Sequence, residues 1–126
     1  MSGSFEKFPR SRISQIGEPL ITIRKTGVIG INSEAMERFF GEARYLEFYY
    51  DRKNKRIGLK PLRDRTKDSY TVFPSKRSKS ANVFARKFLR FYNIDFSKTK
   101  SYVPYWDDEN KLLVVDLQKG EKEVFR

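Results

Sequence analysis

The order strand, short helix, hairpin occurs twice in this chain, and the two occurrences share letters as well as order. Arg38-Phe39-Phe40-Gly41 closes the first expected helix, and Arg90-Phe91-Tyr92-Asn93 stands 52 positions later. Asp51, Asn54 and Lys55 in one turn recur as Asp107, Asn110 and Lys111, 56 positions later. The four-residue difference falls in the loop from Asp95 to Thr99. Repetition of letters and order together argues for duplication. The competing explanation is that Asp-x-x-Asn-Lys is ordinary turn chemistry. A lone unit of this kind leaves sheet edges and an apolar face uncovered. Two units can interlock their strands into a closed core. The expected fold is therefore α+β, mainly β, with two pseudo-repeated strand–helix–hairpin units interlocked into a small barrel-like core. The units are 20–62 and 70–117, within a single domain over 19–117. A flexible N-terminal arm over 1–18 and a charged tail over 118–126 flank it.

The local signals place the elements. In the arm, Phe5, Phe8 and Ile13 are candidates to staple it to the domain. Leu20 to Ile23 opens a strand rich in β-branched residues. Thr26-Gly27 marks a turn, and Val28 to Ile31 returns, with Gly30 indicating a bulge or a close approach. Asn32 or Ser33 caps a short helix with Ala35, Met36, Phe39 and Phe40 on its apolar face, stopped by Gly41. Tyr45–Tyr50 and Arg56–Leu62 form a hairpin, with Pro61 ending its second strand or marking an edge. In the second half, Tyr70 to Phe73 reads as a strand and Pro74 to Lys79 as a basic loop. Ser80 caps a helix from Ala81 to about Tyr92, with Phe84, Phe88 and Phe91 toward the core and Asn93 as C-cap. Ser101–Trp106 and Lys111–Leu117 make the last hairpin.

Charge is segregated along the chain. Residues 1–51 carry seven basic and seven acidic side chains, and residues 91–126 carry six and seven. Residues 52–90 carry fourteen basic side chains against Asp64 and Asp68, which accounts for the net charge of +11. Such segregation points to a polyanion-binding surface, whereas a surface serving solubility alone would mix its signs. The absence of His and Cys excludes the usual zinc sites, nucleophilic cysteines and His-based triads. No phosphate-cradling glycine loop is present. Asp107-Asp108-Glu109 lacks the spacing of a calcium loop. The reading is a non-enzyme without cofactors. No apolar run approaches a membrane span, and no signal-peptide segment opens the chain, so the expected location is cytoplasmic or nucleoid-associated.

Ile21-Thr22-Ile23-Arg24-Lys25-Thr26-Gly27-Val28-Ile29-Gly30-Ile31-Asn32 precedes the short helix, and the hairpin after it ends in Ile57-Gly58-Leu59-Lys60-Pro61. This run resembles the swapped-hairpin AbrB domain, with SpoVT- and MraZ-type regulators. Residues 20–62 carry the likeness, and residues 70–117 look like a second, degenerate copy. The resemblance implies a cradle-like barrel of interlocked hairpins and DNA binding of the transcription-factor type, and it points to Arg24 and Lys25.

Four groups of cations are the candidate nucleic-acid contacts. The first is Lys76, Arg77 and Lys79, which with Ser75, Ser78 and Ser80 would clamp phosphate at the start of the expected helix. The second is Arg86, Lys87 and Arg90 on that helix's exposed face. The third is Arg52, Lys53, Lys55 and Arg56 at a hairpin tip, able to lie along a groove. The fourth is Arg24 and Lys25. Tyr49, Tyr50, Tyr105 and Trp106 read mostly as core. Exposed among cations, they would instead stack on single-stranded bases. The favoured partner is duplex DNA. Single-stranded DNA or RNA is the alternative, and an antitoxin-like protein-interaction module the third. A two-fold homodimer, common among operator readers, is left open.

Overall fold

The computed structural model describes residues 4–5, 17–119 and 121–122. Of the expected arm only residues 4, 5, 17 and 18 are described. Phe5 is exposed, and the proposed staples Phe8 and Ile13 lie outside the described residues.

The first half begins with β1 (Ile21–Ile23) and β2 (Val28–Ile31). They are joined through a tight turn in which the Gly27 N–H donates to the Arg24 carbonyl at 2.8 Å. Gly27 has a φ of +88°, which a side chain would strain. No bulge interrupts the β1–β2 register at Gly30, which pairs with Thr22. The space above Gly30 is filled by the Arg24 guanidinium. Asn32 then caps α1 (Ser33–Ala35). Its Oδ1 accepts from the Ala35 N–H at 3.0 Å and the Leu20 N–H at 2.9 Å, while its Nδ2 donates to the Glu18 carbonyl. One side chain thus starts the helix and closes the end of the β-hairpin. The helix widens into a π turn over Met36–Phe40 and stops at Gly41, with φ +54°. β3 (Tyr45–Asp51) and β4 (Arg56–Leu62) pair along their whole length. Pro61 lies within β4, beyond the end of the β10 ladder at Leu59, where no neighbour needs its missing N–H.

The second half departs from the sequence reading. The strand expected over Tyr70 to Phe73 divides at the buried Val72 into β5 (Tyr70–Thr71) and β6 (Phe73–Pro74), which join different sheets. Ala81–Phe84 is not helical. It is strand β7, pairing antiparallel with β2. Ala81, Val83 and Ala85 are buried in alternation, the period of a strand and not of a helix. The helix is only α2 (Arg86–Phe91), with Ala85 in the cap position and no side-chain cap. Ser80 therefore caps no helix, and the phosphate clamp expected at a helix start there does not form. Phe84 and Phe91, expected in the core, are 63% and 71% exposed, and only Phe88 of that trio is buried. The strand expected over Ser101–Trp106 also divides, into β8 (Lys100–Tyr102) beside β1 and β9 (Tyr105–Asp107), so that only β9 makes the hairpin with β10 (Leu112–Asp116). In the expected tail, Glu121–Lys122 forms β11 beside β8.

The strands make two antiparallel sheets. Sheet one has the order β11-β8-β1-β2-β7-β6, and sheet two β5-β3-β4-β10-β9. The α+β, mainly β class stands, but the barrel does not close, since no ladder joins the two sheets among the described residues. Helices stand over the inner face of sheet two. Phe88 of α2 stacks on Phe48 of β3 at 4.4 Å, and Phe39 stacks on Trp106 of β9 at 6.0 Å. One core fills the space between the sheets. Ile21, Ile23, Ile29, Ile31 and Val83 come from sheet one, and Leu46, Ile57, Leu59, Leu113 and Val115 from sheet two. No helix among the described residues is long and apolar enough to cross a membrane.

Candidate nucleic-acid interface

Three of the four groups of cations converge on α2. At its first turn, Arg86 donates from Nε (3.2 Å) and Nη2 (2.8 Å) to the Thr26 carbonyl, and the Ala85 N–H donates to the Gly27 carbonyl at 3.0 Å. The β1–β2 turn, carrying Arg24 and Lys25, is thereby pressed onto the helix start. A Cβ on Gly27 would stand 2.8 Å from that of Arg86. At the other end of α2, the Arg52 guanidinium lies 4.8 Å from the ring centroid of Tyr92. This cation–π contact holds the β3–β4 turn, with Lys53 and Lys55, beside the helix. The exposed side chains of Lys25, Arg86, Lys87, Arg90, Arg52, Lys53 and Lys55 thus form one basic strip drawn from three distant segments. Phe91 protrudes from the same helix and meets Tyr92 edge-on at 4.9 Å.

The strip gains a cation that sequence reading missed. The Lys25 N–H donates to Thr99 Oγ1 at 3.1 Å, which sets the exposed Lys98 beside the β1–β2 turn. Nothing in the sequence signals this, because the partners lie far apart along the chain.

Two predicted arginines are committed internally. Arg24 is half-buried over Gly30 and donates from Nη1 to Asn82 Oδ1 at 3.1 Å. Arg56 pairs with Asp51 at 2.7 Å through Nη2 and donates from Nη1 to the Tyr105 hydroxyl at 3.0 Å. The Asn54 side chain, and then Arg56, holds the Asp51 carboxyl well below the usual carboxylate range. In return Asp51, followed by Tyr105, pushes the Arg56 guanidinium above its ordinary value. Arg56 therefore works as a brace across sheet two.

The fourth group lies elsewhere. Lys76, Arg77 and Lys79 occupy the tip between β6 and β7. Because β7 runs antiparallel to β2, with Ala81 opposite Ile31 and Phe84 opposite Val28, this tip sits at the opposite end of sheet one from the β1–β2 turn. It is closed by the Ser75 N–H donating to the Ser80 carbonyl at 2.9 Å, with the Ser78 and Ser80 hydroxyls bonded at 2.6 Å. Lys79 reaches Glu37 of the π turn at 3.5 Å. Of the four aromatics weighed for stacking, Tyr50 and Trp106 are partly buried against the core, while Tyr49 and Tyr105 are each 45% exposed. Tyr49 and Tyr105 lie on β3 and β9 of sheet two, where the Tyr105 hydroxyl accepts from Arg56. Among the described residues, no group of Asp and Glu could hold a metal ion. Compared with known proteins, the chain matches no family model, no curated protein and no solved structure.

Proposed function

We propose that this protein binds duplex DNA as a regulator of the AbrB-like, swapped-hairpin kind, and that its two halves are copies related by an approximate two-fold axis. The observation that carries the binding reading is the basic strip along α2. Folding gathers Lys25, Arg52, Lys53 and Lys55 to the two ends of the helix that carries Arg86, Lys87 and Arg90, where chain order alone would scatter them. A strip of this kind tracks phosphates.

The duplication reading is supported by register. At an offset of 52, Gly30 corresponds to Asn82, and these two residues face each other at the centre of the β2–β7 ladder. At an offset of 56, Gly58 corresponds to Val114, and they face each other in the β4–β10 ladder. Two antiparallel strands related by a two-fold axis must pair equivalent residues at that axis. The left-handed residues correspond as well, Gly41 with Asn93 and Lys55 with Lys111.

Anisotropy titration of matched duplex and single-stranded oligonucleotides across a salt series tests the binding reading. The expected result is preference for duplex, with a log–log salt slope of about −0.9 for each phosphate neutralised. Preference for the single strand would favour a second reading, for which the exposed Phe91 beside Tyr92 and Arg52 offers a stacking platform. Loss of all binding near physiological salt would leave the strip to an acidic protein partner.

A further inference from the structure

We infer that the two basic tips of sheet one divide the work of recognition: the β1–β2 turn reads bases, and the β6–β7 tip holds phosphate without regard to sequence. This rests on the duplex-binding reading above. The tips occupy corresponding places. At the offset of 52, Arg24-Lys25-Thr26-Gly27 matches Lys76-Arg77-Ser78-Lys79. They stand at the two ends of the β2–β7 ladder, roughly 20–30 Å apart at strand rise, so one duplex lying along sheet one can meet both. The outer face between them holds Thr22 and Asn82, with Arg24 lying over Gly30 and the exposed rings of Phe73 and Phe84 beside Asn82.

The tips differ in how they are held. The β1–β2 turn is fixed from outside itself. Arg86 grips the Thr26 carbonyl with two donors, Ala85 holds Gly27, and Thr99 holds the Lys25 backbone. Arg24 lies flat over Gly30, bonded to Asn82. The backbone of Lys25 and Thr26 is therefore held at a set position, from which the ammonium and the hydroxyl extend into solvent. By contrast, the hydrogen bonds described for the β6–β7 tip run within residues 75–80. Among the described residues, its tie to another element is the Lys79–Glu37 ion pair, with side chains 79% and 44% exposed. Reading a base edge needs donors held in place before binding, because ordering them on contact removes the discrimination gained. Neutralising phosphate needs only charge. On this view Arg86 and Arg24 are positioning residues, Lys25 and Thr26 make the base contacts, and Lys76, Arg77 and Lys79 supply sequence-blind affinity.

The test is selection from a duplex pool randomised over two helical turns. It uses the full chain, Arg86→Lys, Lys25→Ala and the triple variant Lys76→Ala/Arg77→Ala/Lys79→Ala, each with a salt titration on the unselected pool. The wild type should enrich one half-site only. Arg86→Lys keeps the charge and loosens the grip on Thr26, so it should flatten base preference while leaving the salt slope unchanged. Lys25→Ala should flatten the same half-site and change the slope by much less than the roughly 0.9 of a full phosphate contact. The triple variant should keep the preferred half-site and lower the slope by about 2.7. Equal enrichment of two symmetric half-sites, salt-dependent binding with no enrichment, or loss of preference in the triple variant would each overturn the division of labour and leave duplex binding standing. Failure of the wild type to bind the pool at low salt would overturn the duplex reading itself.

Discussion

The turn after β3 and the turn after β9 have one geometry and opposite charge. In the first, Asp51 Oδ1 accepts from the Asn54 N–H at 3.1 Å and Asn54 Nδ2 returns to Asp51 Oδ2 at 2.9 Å. In the second, Asp107 and Asn110 repeat both bonds at 3.1 and 2.9 Å. Each turn closes on a left-handed lysine, Lys55 at φ +54° and Lys111 at φ +57°. Between these fixed points stand Arg52 and Lys53 in one case, Asp108 and Glu109 in the other. The hairpin thus demands Asp and Asn for their side-chain bonds to the backbone, and is indifferent to what occupies the tip. Tip charge is therefore separable from folding. The basic tip is also the one that Arg52 ties to Tyr92, at the end of the strip along α2.

The widest break in that separation would come from a residue chosen for the fold alone. Phe88 is 6% exposed and stacks on Phe48. Phe88→Ala should cost about 3–5 kcal/mol in urea denaturation. Phe91, three positions on and 71% exposed, should cost within about 0.5 kcal/mol on the same change. Comparable losses at both positions would mean that the exposed face of α2 also serves the fold.

The next effect is on binding. Arg52→Ala/Lys53→Ala/Lys55→Ala should lower the salt slope for duplex DNA by about 2.7. Asp108→Ala/Glu109→Ala, at the corresponding tip, should leave the slope unchanged. Both should melt close to wild type. A slope that shifts equally in the two variants would show that net charge, and not the strip, governs binding.

The hairpins were legible in the sequence because their signals are local: Thr26-Gly27, Asp51 to Lys55 and Asp107 to Lys111 each specify a turn within a few residues. The segment over 81–92 misled because Phe84, Phe88 and Phe91 fall at helical spacing. The chain instead buries Ala81, Val83 and Ala85 by pairing with β2. That pairing is long-range, and it overrides local periodicity. The division of residues 70–74 at Val72 was hidden for the same reason. In the site, cations were visible as letters but their grouping was not. The strip exists through Arg86 on Thr26 and Arg52 on Tyr92, contacts across large separations in sequence. The cluster Lys76, Arg77 and Lys79, which reads as the sharpest signal, lies apart from that strip.

Acid should separate the two turns more finely. Hydrogen bonds from Asn54 and Arg56 hold Asp51 below its ordinary range, and those from Asn110 do so for Asp107. A carboxyl with a lowered folded value contributes stability that is present above its unfolded value, about 3.9. That contribution is lost as pH falls toward the folded value, where the unfolded chain binds more protons. Melting temperature should therefore decline below about pH 4. Asp51→Asn should reduce that decline more than Asp107→Asn, since Asp51 also holds Arg56 at 2.7 Å. Equal effects would mean that the Arg56 brace adds nothing to the turn.

The smallest effect tests both properties at a single pair of positions. Lys55 and Lys111 hold the left-handed conformation that costs a residue with a Cβ roughly 1–2 kcal/mol. Glycine relieves that strain and gives back about 0.5–1 kcal/mol through the freedom of the unfolded chain. Lys55→Gly should therefore stabilise by about 0.5–1 kcal/mol, as its backbone bond from Leu117 to the Lys55 carbonyl remains. Lys111→Gly should gain slightly less, because it also removes the exposed pair with Asp108 at 2.8 Å. Binding should split the other way: Lys55→Gly removes about 0.9 from the salt slope, and Lys111→Gly removes nothing. A stabilised variant with weakened binding beside a stabilised variant with intact binding is the outcome that separable fold and charge require. Loss of binding in both would place the acidic turn in the interface and erase the distinction between the two tips.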